Sequence, residues 1–288
     1  MKYAYIDRYR REFAVKSLCR ALDISRSRYY AYKAAPQSLH SLEDMALRQE
    51  IVRVHTEHRW IPGSVKTWRL LNGQGVRCGK HRIARLRKLD GVKSNRSRRA
   101  HSKQAKDRSQ PPAPNLVQRR FQVGLPNQVW VGDMTMIRTK EGFLHLAVVL
   151  DLFARRVVGW SMHDAPVVAL PTAALQMAID QRKPAPGLIF HSDQGSAYGS
   201  HDYRELMGRH GLQASMSRKG NCHDNAVAES FFSSLKNELI HDRIFPTRAE
   251  AAAVVNDYIA VYYNQMRLHQ TLRYQTPVKV EAQFCVPI

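Results

Sequence analysis

Acidic residues are scarce in this chain: 24 Asp and Glu stand against 45 Lys and Arg in 288 residues, a net charge of +21. Cysteine is scarce too. Cys19, Cys78, Cys222 and Cys285 lie far apart with no CxxC pair, which excludes a zinc ribbon or a disulfide framework and suits a reducing compartment. The lone HxxH, His55 and His58, reads as surface rather than as a ligand pair. No run reaches the roughly 18 apolar residues of a membrane span, and the opening MKYAYIDRYRREF has no apolar signal core. These absences predict a soluble cytoplasmic protein with no membrane partner.

The positive charge is clustered. From Lys80 to Arg120 there are fourteen Lys and Arg but only two acids, Asp90 and Asp107. Each cation near a phosphate releases condensed counterions, so a dense basic stretch points to nucleic acid. At 44% hydrophobic residues the chain can still build a sizeable core.

The patterning predicts two parts. In FAVKSLCRALDISRSRYYAYK, Val15, Leu18, Cys19 and Leu22 share a helix face, and a basic-aromatic helix restarts at Arg26. Residues 1–35 thus read as a helix-turn-helix segment or, equally, as an ordinary helical hairpin. A second helical, DNA-binding block follows over 40–93. Residues 94–120 are poor in apolar residues and end near a Pro cluster, which reads as a basic linker.

Over 121–285 the character changes. Three β-rich segments (VWVGDMTMIRT, FLHLAVVLDLF, RRVVGWSMH) precede a helix at about 167–182, the strand GLIFHSD, a helix at 201–210 and the strand QASMS. Long helical patterns occupy 224–241 and 247–264. The expected architecture is an α/β domain with a mixed sheet.

Asp133 and Asp193 fall on apolar strand-like segments and Glu229 on a helical one. Carboxylates that converge from paired strands and a neighbouring helix are what divalent ions at a phosphate require. Any one of them alone is as well explained as a cap or turn. On the Glu229 helix, Phe231, Phe232, Leu235 and Leu239 form an apolar face, while Asn225, Glu229, Ser233 and Lys236 line another.

With 35 residues between Asp193 and Glu229, and Asp133 upstream in WVGDMT, the chain resembles the retroviral-integrase-like transposases with an Asp-Asp-Glu triad. More narrowly it resembles the OrfB transposases of the two-reading-frame bacterial insertion sequences. AVKSLCRALDISRSRYYAY, HSDQGSAY, SMSRKGNCHDNAVAESFFSSLKNEL and YNQMRLHQTLRYQTP carry the likeness over almost the whole chain. RWIPGSVKTWRLL departs from the family's usual Tyr-Gly-x-Arg-like stretch.

The resemblance implies an RNase H-like catalytic core behind an all-α helix-turn-helix-type region. It implies two Mg²⁺ ions, with Mn²⁺ as a substitute, on Asp133, Asp193 and Glu229. The activity would be cleavage and strand transfer of double-stranded DNA, mobilising an insertion sequence. Homo-oligomers on DNA and an upstream-frame OrfA protein or fusion would be the partners. Lys236, Arg26, Arg28, Arg82, Arg85, Arg96, Arg98, Arg99, Arg218 and Lys219 are the expected DNA contacts. The competing readings are a catalytically silent protein occupying element ends, and a nuclease without strand transfer.

Other residues are given structural roles. Asp151 is expected to organise the turn before Arg155, His191 either to contact substrate or to pack at a strand end, and Asp224 and Asn225 to cap the Glu229 helix. Tyr258, Val261, Tyr262 and Gln265 are expected to pack. Arg267, His269 and Arg273 are further phosphate candidates.

Overall fold

In a computed structural model, residues 2–34, 39–95, 113–118, 120–218, 225–240 and 243–285 are described. Three short helices, α1 (Lys2–Tyr9), α2 (Val15–Ala21) and α3 (Arg26–Ala34), surround a small core of Ile6, Cys19 and Tyr29. The hydroxyl of Tyr29 donates to Asp7 across it (2.8 Å). Helix α1 was not anticipated. It buries only Ile6, too few apolar residues to show a period.

The next unit is α4 (Leu39–Glu57), α5 (Ser64–Gly73) and α6 (Lys80–Leu89), closed on Leu47, Ile51, Val54, Leu71, Ile83 and Leu86. His55 and His58 are buried rather than on the surface. Burial and the charge of Arg87 push His55 down to about 4, so it sits neutral, with Nε2 against the Thr67 hydroxyl (3.2 Å). In the RWIPG departure, Arg59 and Trp60 take positive φ values of 57° and 60°. The chain there turns sharply enough to bury Ile61 in the main core.

The main unit is a five-stranded sheet in the order β3-β2-β1-β4-β5. Its strands are β1 (Val129–Thr139), β2 (Gly142–Asp151), β3 (Arg156–His163), β4 (Ile189–Ser192) and β5 (Gln213–Met216). The first three form an antiparallel meander, and β4 and β5 add in parallel on the other edge of β1. This mixed sheet with helices on both faces is the RNase H-like arrangement. Trp130, Val149, Val158 and Phe190 face α7 (Ala169–Arg182) and α8 (His201–Arg209). Val129, Val131, Leu146, Val148 and Leu150 face α9 (Ala226–Leu235) and α10 (Arg248–Asp257). Helix α11 (Pro277–Cys285) closes the described chain.

Both long helices end in π-helical turns, Lys236–Ile240 after α9 and Tyr258–Met266 after α10. The wider i→i+5 turn shifts which side chains face inward. Tyr262, Tyr263 and Asn264 are buried in succession, whereas Val261 and Gln265, expected to pack at an α-helical period, are exposed. The Asn264 amide exchanges two hydrogen bonds with the Val157 backbone (3.0 Å each) and ties this turn to β3.

Part of the stretch read as linker belongs to the sheet edge. Pro114 O accepts from Met216 N (3.3 Å), Leu116 N donates to Ser215 Oγ (2.9 Å), and Val117 is buried. Among the described residues no helix is long and apolar enough to cross a membrane.

Candidate active site

Asp133 and Asp193 come together through strand register. Strands β1 and β4 pair in parallel with Trp130 against Phe190 and Val131 against His191. Continued two residues, past the end of β4 at Ser192, that register brings Asp133 level with Asp193 on the same side of the sheet. Both are half-buried. Buried Tyr198 reports on the pair. Burial pushes its phenol well up, and the charges of Tyr203, Asp133 and Asp193 add to the rise.

Each carboxylate is oriented by backbone. Asp133 Oδ1 accepts from Met134 N (2.8 Å) and Asp193 Oδ1 from Gly195 N (2.8 Å). A Cβ at Gly195 would meet Asp193 Oδ1 at 2.9 Å, so any side chain there would shift that carboxylate. Gly132 is required on the opposite face, where a Cβ would lie 2.4 Å from Phe190 Cζ. His191 is fully buried between Ser215 (2.8 Å) and Ser217 (3.2 Å). It fastens β4 to β5, as a packing residue should.

Helix α9 carries Glu229 across this face. Phe231, Phe232 and Leu235 anchor it on the core, and Glu229 is exposed. Asn225 sits at the N-cap position, but its side chain caps nothing. Instead Nδ2 donates to Gly132 O (3.2 Å), which fastens the start of α9 to the residue before Asp133. Sequence periodicity could not reveal this tether, because it joins residues 93 apart. Asp224 lies outside the described residues.

Among the described residues no three His, Cys, Asp or Glu side chains are grouped closely enough to hold a metal ion. The charges of Asp133 and Asp193 both act on Tyr198, and Glu229 is exposed on α9. The donor set nevertheless fits a hard divalent cation: carboxylate oxygens only, those of Asp133 and Asp193 half-exposed.

Three family models match the chain: an HTH-like domain at 42–100 and two integrase core domain models at 125–222 and 210–277. The transposase of insertion sequence element IS904 from Lactococcus lactis is 41% identical over 244 residues, 85% of this chain and 96% of that protein. The chain belongs to the insertion-sequence transposases. The InsF transposase of IS3A from Escherichia coli K12 is 36% identical over 271 residues, 93% of this chain and 94% of that one. Among solved structures, the HTLV-2 integrase catalytic core domain in complex with magnesium aligns at a TM-score of 0.43 and 19% identity, covering 54% of this chain and 97% of that one. The family models and the transposase relatives make this chain a polynucleotidyl transferase acting on DNA, with an integrase core behind an HTH-like DNA-binding region. Neither the relatives nor the matched models support the silent end-binding alternative.

The expected DNA contacts of the transposase divide into groups. Arg26 and Arg28 are exposed on α3; Arg218, two residues past β5, and Lys236, at the end of α9, are exposed as well. Arg82 and Arg85 are engaged in ion pairs. Arg82 Nε binds Asp44 (2.7 Å) and its Nη2 binds Glu43 (3.1 Å), while Arg85 binds the other Asp44 oxygen (2.6 Å). These pairs brace α6 on α4. Arg96, Arg98, Arg99 and Lys219 lie outside the described residues.

Two of the further phosphate candidates are spent inside the protein. Arg267 grips Glu238 and the Ser234 hydroxyl (2.9 Å), and buried His269 is held neutral, pushed down to about 2 by burial and the Arg267 charge. Asp151, fully buried, accepts from Phe153 N (2.9 Å) and Asn127 N (2.8 Å). It organises the β2–β3 turn as expected.

Proposed function

We propose that the transposase cuts and rejoins DNA at Asp133, Asp193 and Glu229, which hold two Mg²⁺ ions, replaceable by Mn²⁺. When bound, such ions neutralise the charge that develops on the scissile phosphate and its attacking and leaving oxygens. The observation that supports the reading is the parallel β1–β4 register, which continued two residues brings Asp133 level with Asp193 just past the end of β4. The attacking oxygen would come from water in cleavage and from a DNA 3′-hydroxyl in joining. In each case it would displace the 3′-oxygen of the strand being cut, in line at phosphorus.

The chain's own part is orientation. The Met134 and Gly195 amides fix which oxygens of Asp133 and Asp193 point outward. Buried Tyr198 and the His191–Ser215 pair keep the floor beneath them rigid and dry. Exposed Lys236 and Arg218 offer positive charge to the DNA backbone at the rim. The protein would act as a homo-oligomer on paired element ends, alone or fused to an upstream OrfA protein, in the bacterial cytoplasm on nucleoid DNA.

Asp193→Asn tests the reading. It is expected to abolish Mg²⁺-dependent cleavage and joining of element-end oligonucleotides while end binding in EDTA stays within a few-fold of wild type. Strand joining by the substituted protein at the wild-type rate would remove Asp193 from the chemistry.

A further inference from the structure

One cation in the second helical unit is unlike its neighbours. On α6, Arg82 and Arg85 are both paired with Asp44, and Arg48 of α4 is paired with Asp90. Arg87, on the same helix, is only 8% exposed, yet no carboxylate among the described residues pairs with it. Among the described residues its one side-chain hydrogen bond runs from Nη2 to Pro62 O (3.2 Å), and its buried Nε has no partner there. His55, which feels the Arg87 charge, is neutral and supplies no counter-charge. An arginine so placed carries the desolvation cost of burial without the compensation that buried charges ordinarily have.

Arg87 lines a cleft of about 320 Å³ with Ser64, Ala84, Lys88, Gly91, Val92 and Lys93. Ser64 is the first residue of α5, a ten-residue helix whose N-cap is Gly63 and whose start receives no side-chain cap. The leading amides of a helix carry partial positive charge and favour an anion. The cleft therefore gathers a buried unpaired guanidinium, an uncapped helix start, a hydroxyl and two exposed lysines.

We infer that this cleft binds a phosphate group, and that its occupant is a backbone phosphodiester of the DNA the transposase holds. The inference deepens the DNA-binding reading of the helical unit and rests on it. Arg87 supplies a planar fork of donors from the floor, the α5 amides and Ser64 close one side, and Lys88 and Lys93 meet the flanking backbone. The contact fixes position along the duplex and reads no base.

The test is binding of a fluorescent random-sequence duplex to the full-length protein in EDTA, over a series of salt concentrations. Metal-free binding keeps the acid triad out of the measurement. If wild type does not bind the duplex, the DNA-binding reading itself fails. Given wild-type binding, Arg87→Ala and Lys88→Glu are each expected to weaken it on the order of three- to tenfold and to reduce the salt slope by about one. Arg209→Ala, which removes an exposed cation of α8 paired with Glu205, should leave the slope unchanged.

Arg87→Ala removes a bond to Pro62 and could unfold the unit. Lys88→Glu alters only an exposed position and decides the matter in that case. An unchanged slope and affinity in Lys88→Glu, and in Arg87→Ala if it folds, overturns the proposal. Inorganic phosphate, followed by its effect on the melting temperature, separates the two possible sources. If phosphate stabilises wild type but not Lys88→Glu while duplex binding is identical, the site holds free phosphate and the DNA assignment is overturned.

Discussion

Replacing Arg267 with Met is expected to destabilise the transposase by about 3–5 kcal/mol near neutral pH. The guanidinium bonds both oxygens of Glu238, Nε to Oε2 at 2.8 Å and Nη2 to Oε1 at 2.7 Å. The side chains are 13% and 7% exposed. The Tyr258 hydroxyl also donates to Oε2 (2.8 Å). Together these groups lock the π turn that follows α9, the helix carrying Glu229, to the π turn that follows α10. Met keeps the apolar stem but strands a carboxylate in the interior with one phenol donor.

The pH dependence gives the mechanism away. Burial alone would raise the Glu238 carboxyl, but the Arg267 bonds and charge, helped by Tyr258, hold it below its ordinary value. In wild type, then, the group's stabilisation is fully present above the unfolded pKa, about 4.3, and is lost as pH falls through the lower folded value. In the variant, burial outweighs what remains of the opposition, from Lys66 and Tyr258, and raises the folded pKa. The destabilisation should be small in acid and grow as pH rises through the unfolded value. Urea unfolding of both proteins across this range measures the difference. The double variant Glu238→Gln with Arg267→Met should recover more than half of the loss. A loss under about 1 kcal/mol at neutral pH, or one that does not grow with pH, would refute the reasoning.

Asn225→Ala removes the tether from α9 to the Gly132 carbonyl. It should cost about 1–2 kcal/mol in a denaturation assay and slow strand joining on the order of ten- to a hundredfold, with duplex affinity unchanged. Gly132→Ala drives a methyl into the Phe190 ring. It should cost about 1–3 kcal/mol, and Phe190→Leu in the same chain should restore much of it. Arg26→Ala with Arg28→Ala should reduce the salt slope of DNA binding by about one per residue. Arg82→Ala with Arg85→Ala should instead lower the melting temperature, because those two cations brace α6 on α4.

Much of the molecule follows from local pattern. The alternating and continuous apolar runs yielded β1 to β5 and the order of the core helices, because a sheet with two covered faces imposes period and composition directly on its strands. Asp151 and His191 were also legible as structural residues, since a turn acid and a strand-end histidine act on near neighbours. The motif spacing around Asp133, Asp193 and Glu229 pointed to the chemistry before any geometry was known.

What depends on contacts distant in sequence was not legible. The α-helical period assigned Val261 and Gln265 to the core, but a π turn turned them outward and buried Tyr263 and Asn264 instead. Asn225, Arg267 and Arg82 carry the residue types of a cap and of phosphate contacts. Each is claimed by a partner 93, 29 or 38 residues away. The sequence determined which strands form and which acids are available. The tertiary structure decided which charges are already neutralised and which, like Arg87, are left uncompensated in a cleft, because pairing and burial depend on how separate segments pack.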